Sequence, residues 1–146
     1  MKKWIQMTVL VLLAAGCAGT GMQVTENKKR SIAADYDSTF EAVQGYIQER
    51  GFSIMKADKV KGQIESQYRE GAGWAEGFTG DKRAKVIARV TKVDEGTTDV
   101  VVNLISEVRD QYSGWQSVEM DVSKEQIYYS RFMEGIVARA EGRSIK

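Results

Sequence analysis

Few side chains in this 146-residue chain are equipped for chemistry: there is no histidine, and Cys17 is the only cysteine. Without imidazole, Ser-His-Asp triads, histidine-ligated zinc sites and the usual pH switch are excluded. Without a second thiol no intramolecular disulfide forms. Carboxylates remain, among them Asp35 and Asp37, Glu65, Glu70 and Glu76, Asp94 and Glu95. Paired acids can hydrolyse glycosides, but these fall in expected turns and on strand faces, where solvated charge is the ordinary state. The reading therefore assigns no catalytic residue, no metal site and no cofactor. The most unusual segment is Glu70-Gly71-Ala72-Gly73-Trp74-Ala75-Glu76-Gly77-Phe78-Thr79-Gly80-Asp81. A phosphate-cradling Gly-x-Gly-x-x-Gly loop needs a strand before it and a helix after it. Here the third glycine comes one place late and a strand is expected to follow, so phosphate binding is set aside. Two readings of the loop stand: a long hairpin connection with Trp74 folded back on the sheet, or a contact loop.

The N-terminus carries the other distinctive pattern. Lys2 and Lys3 precede a stretch from Trp4 to Ala15 that is interrupted only by Gln6 and Thr8. At twelve residues it is too short for a bilayer core, which takes about 20 apolar residues as a helix. It has the form of an export signal, which is removed and is not part of the fold. The run Leu12-Leu13-Ala14-Ala15-Gly16-Cys17 resembles a bacterial lipoprotein signal, with Leu13 one place earlier than the leucine of most such signals. The resemblance implies cleavage of residues 1–16 and acylation of Cys17, by a diacylglyceryl thioether and an amide-linked chain such as palmitate. Each buried CH₂ adds about 0.8 kcal/mol, and two or more chains turn reversible membrane binding into stable anchoring. By the same resemblance, Ala18 in place of aspartate implies the outer membrane, with the protein facing the periplasm.

Residues 17–29 then read as a lipidated N-terminus and polar tether, and residues 30–146 as one α+β domain, a usual size for one. Once residues 1–16 are removed, 19 basic side chains face 20 acidic ones. That balance argues against a nucleic-acid partner, which calls for a basic face.

Periodicity supplies the elements. Arg30 to Tyr36 is a candidate first strand. Ser38-Thr39-Phe40-Glu41 has capping-box spacing, and Phe40, Val43 and Ile47 follow on one helical face. Gly51 is placed to end that helix in the left-handed conformation. Phe52 to Ala57 and Gly62 to Arg69 read as a hairpin. Ala84 to Val93 and Thr98 to Arg109 read as a longer one, joined at Asp94-Glu95-Gly96. Val100, Val102, Leu104 and Val108 alternate with Asp99, Asn103, Glu107 and Arg109, the pattern of a sheet covered on one face. Val101 and Ile105 make the second face partly apolar. Ser123 to Glu141 is a second helix, again with capping-box spacing at Ser123-Lys124-Glu125-Gln126.

The order β-α-β-β-β-β-α predicts an α+β fold of two layers, an antiparallel sheet with helices packed on one face. A capped helix ending Glu49-Arg50-Gly51-Phe52, a strand Lys61-Gly62-Gln63-Ile64-Glu65-Ser66, a valine-rich hairpin and a C-terminal helix together resemble small envelope lipoproteins of uncharacterised function. More distantly the layout is similar to BamC-type helix-grip domains, although BamC-type chains carry two domains and this chain one. The lipoprotein signal, the one-domain size, the absence of nucleophile–base or metal constellations and the aromatic loops together lead to the expectation of a non-enzymatic lipoprotein, held to the membrane through acylated Cys17, that binds or scaffolds another envelope component. The alternative is a periplasmic binding module for a lipid or glycan. Trp74, Phe78, Tyr112 and Trp115 are the candidate partner-binding residues, expected to meet at one edge of the sheet, since tryptophan and tyrosine pair an apolar body with a polar tip.

Overall fold

The computed structural model describes residues 28–71, 81–119 and 122–143. The signal, Cys17 and the tether up to residue 27 lie outside these, as do Trp74 and Phe78. In chain order the elements are β1 (Lys29–Ile32), α1 (Tyr36–Glu49), β2 (Ile54–Asp58), β3 (Gln63–Ser66), β4 (Arg69–Glu70), β5 (Lys82–Lys92), β6 (Thr98–Asp110), β7 (Gly114–Val118) and α2 (Val122–Ala140). The fold is α+β as expected, with an antiparallel sheet and two helices among the described residues.

The β5–β6 hairpin is the spine, paired without interruption from Lys82↔Val108 to Lys92↔Thr98. β3 and β4 follow one another along the free side of β5, and β7 and β1 along the free side of β6, with β2 outside β3. The even-numbered positions Ala84, Val86, Ala88, Val90, Val100 and Val102 are all buried against the helices. Helix α1 meets them with Phe40, Val43 and Ile47, and α2 with Tyr129, Phe132, Met133 and Ile136. Fully burying one such aliphatic or aromatic side chain stabilises a fold by about 1.5–3 kcal/mol.

Element boundaries and the strand count differ from the sequence expectations: the first strand, expected from Arg30 to Tyr36, runs from Lys29 to Ile32, and Tyr36 already belongs to α1. Helix α1 starts before Ser38: Asp35 is its N-cap, and its carboxylate accepts from the Ser38 N–H at 2.9 Å and the Ser38 hydroxyl at 2.8 Å. A carboxylate reaching the third helical N–H satisfies one of the orphan donors and faces the positive end of the helix dipole. Those bonds from Ser38 hold the Asp35 carboxyl below its usual pKa. Ser123 likewise lies inside α2, one residue after its start, so it does not cap it. The strand count differs as well. The segment expected as one strand from Gly62 to Arg69 is two, β3 and β4, and β7 is an additional strand. The end of α1 is as expected. Gly51 has φ +83°, its N–H donates to Gln48, and the Phe52 N–H donates to Ile47, the paired bonds of a Schellman ending.

Both flanks of the spine are broken at the same level. On the β5 side, β3 ends its pairing opposite Ile87 and β4 begins opposite Ala84. The Ser66 hydroxyl accepts the Val86 N–H there at 2.9 Å. On the β6 side, β1 pairs up to Val101 and β7 from Ser106 on, so that among the described residues Val102 to Ile105 have no strand neighbour on that side. The Tyr129 hydroxyl of α2 accepts the Leu104 N–H at 2.7 Å. Burial raises the Tyr129 pKa to about 12, with the bond from Leu104 opposing it.

The helices cross at Gly135, where a methyl group would stand 2.1 Å from the Tyr46 ring. Tyr46 in turn packs edge-on against Phe132 at 5.0 Å. Gly135→Ala is expected to lower stability by about 1–3 kcal/mol, the usual cost of overpacking, despite alanine's better helix propensity; thermal unfolding measures it. Tyr129→Phe keeps the ring but strands the Leu104 N–H, and is expected to cost about 1–3 kcal/mol. Amide exchange at Leu104, accelerated in this variant, reports the loss locally.

Candidate functional site

The face of the sheet turned away from the helices, uncovered among the described residues, carries the odd-numbered side chains of β5 and β6, and its centre is an organised cluster rather than a set of free charges. Arg83 of β5 lies directly opposite Glu107 of β6, and its Nε donates to the Glu107 carboxylate at 2.6 Å. The guanidinium lies between two rings, 4.2 Å from the Tyr68 ring centroid and 4.3 Å from that of Trp115. The Tyr68 hydroxyl donates to the second Glu107 oxygen at 2.7 Å. One carboxylate thus holds both the arginine and one of the aromatic walls around it. Beside it, Lys85 bonds Glu65 at 2.7 Å and lies 5.3 Å from the Tyr68 ring.

Local structure explains the assembly. The irregular stretch between β3 and β4 presents Tyr68 to the outer face next to β5. Antiparallel register places Glu107 across from Arg83. β7 pairs Trp115 with Arg109, one outer-face step along β6 from Glu107. Each cation–π contact is worth about 0.5–1 kcal/mol at an exposed site, so the stack sets geometry more than stability. The Glu107 carboxyl is held below its usual pKa, first by the bond from Tyr68 and then by Arg83. The Tyr68 hydroxyl is pushed up to about 12, chiefly by desolvation and next by its bond to Glu107.

Of the four aromatic residues expected at this edge, Trp74 and Phe78 lie outside the described residues, and Tyr112 and Trp115 lie within them. The start of β5 and the end of β6 do share an edge, with the Arg109 N–H donating to Asp81 at 2.8 Å. The β6–β7 turn therefore emerges beside the residue that closes the glycine-rich segment. Tyr112 stands at the tip of that turn, 90% exposed, and the turn is held by Asp110, which accepts from the N–H groups of Tyr112 and Ser113. Trp115 lies on the sheet face against Arg83. Tyr68, Arg83 and Glu107 were not singled out from sequence. The only signal was alternation, which puts Arg83 and Glu107 on the polar face without showing that they meet.

A second feature lies at the break beside β6. A cavity of about 370 Å³ opens there between the start of β1, the end of β7 and the first turns of α2, with Lys28, Leu104, Ser106, Glu119, Glu125 and Tyr129 in its wall. Lys28 bonds Glu125 at 2.8 Å and lies 5.1 Å from the Tyr129 ring centroid. Ser106 is 5% exposed, and its hydroxyl has no hydrogen-bond partner among the described residues.

No protein-family model matches the chain, and no curated protein does. Among solved structures, the chain is similar to the adenylate sensor from AMP-activated protein kinase crystallised with a ribofuranotide. The identity is 13%, the coverage 77% of this chain and 94% of that one, and the TM-score 0.45. It is also similar to a DUF4468 family protein from Bacteroides ovatus, at 11% identity, 82% and 90% coverage and a TM-score of 0.36. Neither likeness carries weight for function.

The Tyr68 shift has a definite sign. A phenol whose pKa is higher folded than unfolded contributes stability that is complete below its ordinary value, near 10, and is lost as pH rises towards about 12. The absorbance difference between the native protein and Tyr68→Phe during alkaline titration should therefore show a phenol ionising near pH 12. In Glu107→Gln that transition should move down only part of the way, because desolvation is the larger cause.

Proposed function

We propose that this chain is a bacterial lipoprotein, anchored through acylated Cys17 at the periplasmic face of the outer membrane, whose folded part acts without catalysis as a docking module for another envelope protein. The anchor rests on the sequence resemblance around Leu12–Cys17. Among the described residues no helix is long and apolar enough to cross a membrane, so the proposal places membrane attachment at the N-terminus.

The observation that carries the docking role is the Tyr68–Arg83–Trp115 stack on the uncovered face of the sheet. Tyrosine, arginine and tryptophan are the residue types that dominate binding hot spots. Here their rotamers are already set by Glu107 and by each other, so a partner that lands on them loses little side-chain entropy in ordering them. Ile87, Val101 and Ile105, half-buried on the same face, extend the stack with apolar surface. The ion pairs around it leave few charges to desolvate without compensation.

Two measurements test this. Mass spectrometry of the mature N-terminus should find an acylated residue 17, and Cys17→Ser should release the protein from membranes. A photo-crosslinker at Ser117, on the same face, should give a discrete adduct in intact cells that Trp115→Ala and Arg83→Ala abolish while the thermal midpoint shifts only slightly. A soluble, unacylated native protein sinks the anchor. An adduct pattern unchanged in both variants sinks the docking face.

A further inference from the structure

The cavity beside β6 has the polarity and direction of a site for a short peptide. We propose that it binds a free peptide of about two or three residues, in extended form, with its amino end at Glu119 and its carboxyl end at Lys28.

Strand direction is the first argument. β7 runs from opposite Asp110 to opposite Ser106, and β1 from opposite Val101 to opposite Thr98. They are successive pieces of one line, antiparallel to β6 and pointing the same way, and among the described residues the span opposite Val102–Ile105 between them is unpaired. A peptide filling that span in the same direction has its N-terminus where β7 leaves the sheet and its C-terminus where β1 joins it. Glu119 stands at the first position and Lys28 at the second, and both face the cavity. The carboxylate meets the ammonium end and the lysine meets the carboxylate end, whereas a peptide running the other way would set like charges against each other.

The polar groups between these ends agree. In an antiparallel strand the N–H and C=O of one residue point to the same edge, so Leu104, whose N–H is held by Tyr129, presents its carbonyl to the gap. A peptide N–H can donate to that carbonyl, and the C=O of the same peptide residue then takes the Leu104 N–H from the Tyr129 hydroxyl. The buried Ser106 hydroxyl, unpartnered among the described residues, lies beside the amino end and can accept from an ammonium. Lys28 spends one of its three donors on Glu125 and keeps others for a carboxylate. The volume of about 370 Å³ is at the small end for ligand sites. β1 and β7 block both ends, so a strand running through a larger protein is excluded. A lipid chain leaves the charged ends unused, and a neutral glycan leaves them without counter-charges.

The site borders the proposed docking face, with Ile105 and Ser117 common to both, but it does not use the Tyr68–Arg83–Trp115 stack and does not depend on acylation. The test is an NMR titration of the isotopically labelled full chain in detergent solution with trialanine, N-acetyl-trialanine and trialanine amide. Trialanine should shift the Leu104 and Ser106 amides saturably, and blocking either end should weaken binding about tenfold, the loss of one charged hydrogen bond. Glu119→Gln should erase the difference between free and acetylated peptide only, and Lys28→Gln that between free and amidated peptide only. Trp115→Ala should leave all three affinities unchanged, which separates this site from the stack. Absence of saturable shifts at Leu104 and Ser106 overturns the proposal. So does equal binding of blocked and free peptides, or a neutral oligosaccharide that shifts these amides where trialanine does not.

Discussion

The architecture depends on a hydrogen-bonding problem at one level of the central hairpin. β5 and β6 are longer than any strand beside them, and the breaks in their two flanks meet at the cross-strand pair Val86–Leu104. Both residues face the core, so their outward N–H groups have little access to water, and an unmet buried donor costs about 1–3 kcal/mol. Each break is closed by a side-chain hydroxyl standing in for a strand: Ser66 for Val86 and Tyr129 for Leu104. The tyrosine comes from the last helix, so the bond that completes the sheet also fixes where α2 lies. The rest of the helix layer follows, with Gly135 opening the notch that receives Tyr46.

The two faces of the sheet solve opposite problems. The inner face is aliphatic and is covered by helices. The outer face has no covering layer among the described residues, and neutralises its charge in place through Arg83–Glu107, Lys85–Glu65 and Lys29–Asp99. Surface pairs of this kind contribute little to stability. Their effect here is to immobilise long side chains, most of all Arg83, which has a ring on either side. The outcome is an uncovered surface with more conformational order than solvated lysines and arginines normally have.

Legibility in the sequence followed the range of the interactions. The helices and the β5–β6 hairpin rest on local periodicity, Phe40–Val43–Ile47 and Val100–Val102–Leu104, and they form where the pattern places them. The start of α1 differs because two caps of similar appearance lie within four residues: Ser38 has capping-box spacing and would accept the Glu41 N–H, but Asp35 offers a charged acceptor to the N–H of Ser38 itself. β7 was missed because Gly114–Val118 is short, follows a turn and has only Val118 as an aliphatic residue; β6, supplying every ladder partner, makes it a strand. Tyr68, Arg83 and Glu107 are distant in sequence and bond only because of register, which no local pattern encodes. Of the aromatic residues expected to meet at one edge, Trp115 joins an organised cluster with Arg83 as its neighbour, and Tyr112 is exposed at a turn tip.

The attachment of β1 carries one more consequence. β1 is four residues long, pairs with β6 alone among the described residues, and holds a single core side chain, Ile32. Outside the ladder, its ties are the ion pairs of Lys28 and Lys29 with Glu125 and Asp99, and the bond from Ser31 to Asp99. Among the described residues, tension applied to the chain at Lys28 falls first on this strand and on the contacts of Lys28 with Glu125 and Tyr129 of α2. In mechanical terms β1 is the weak link in series, with the Lys28 contacts to α2 as a parallel tie. β5 and α1 come under load only once these have parted, so the fold can yield at this entry point and keep its core.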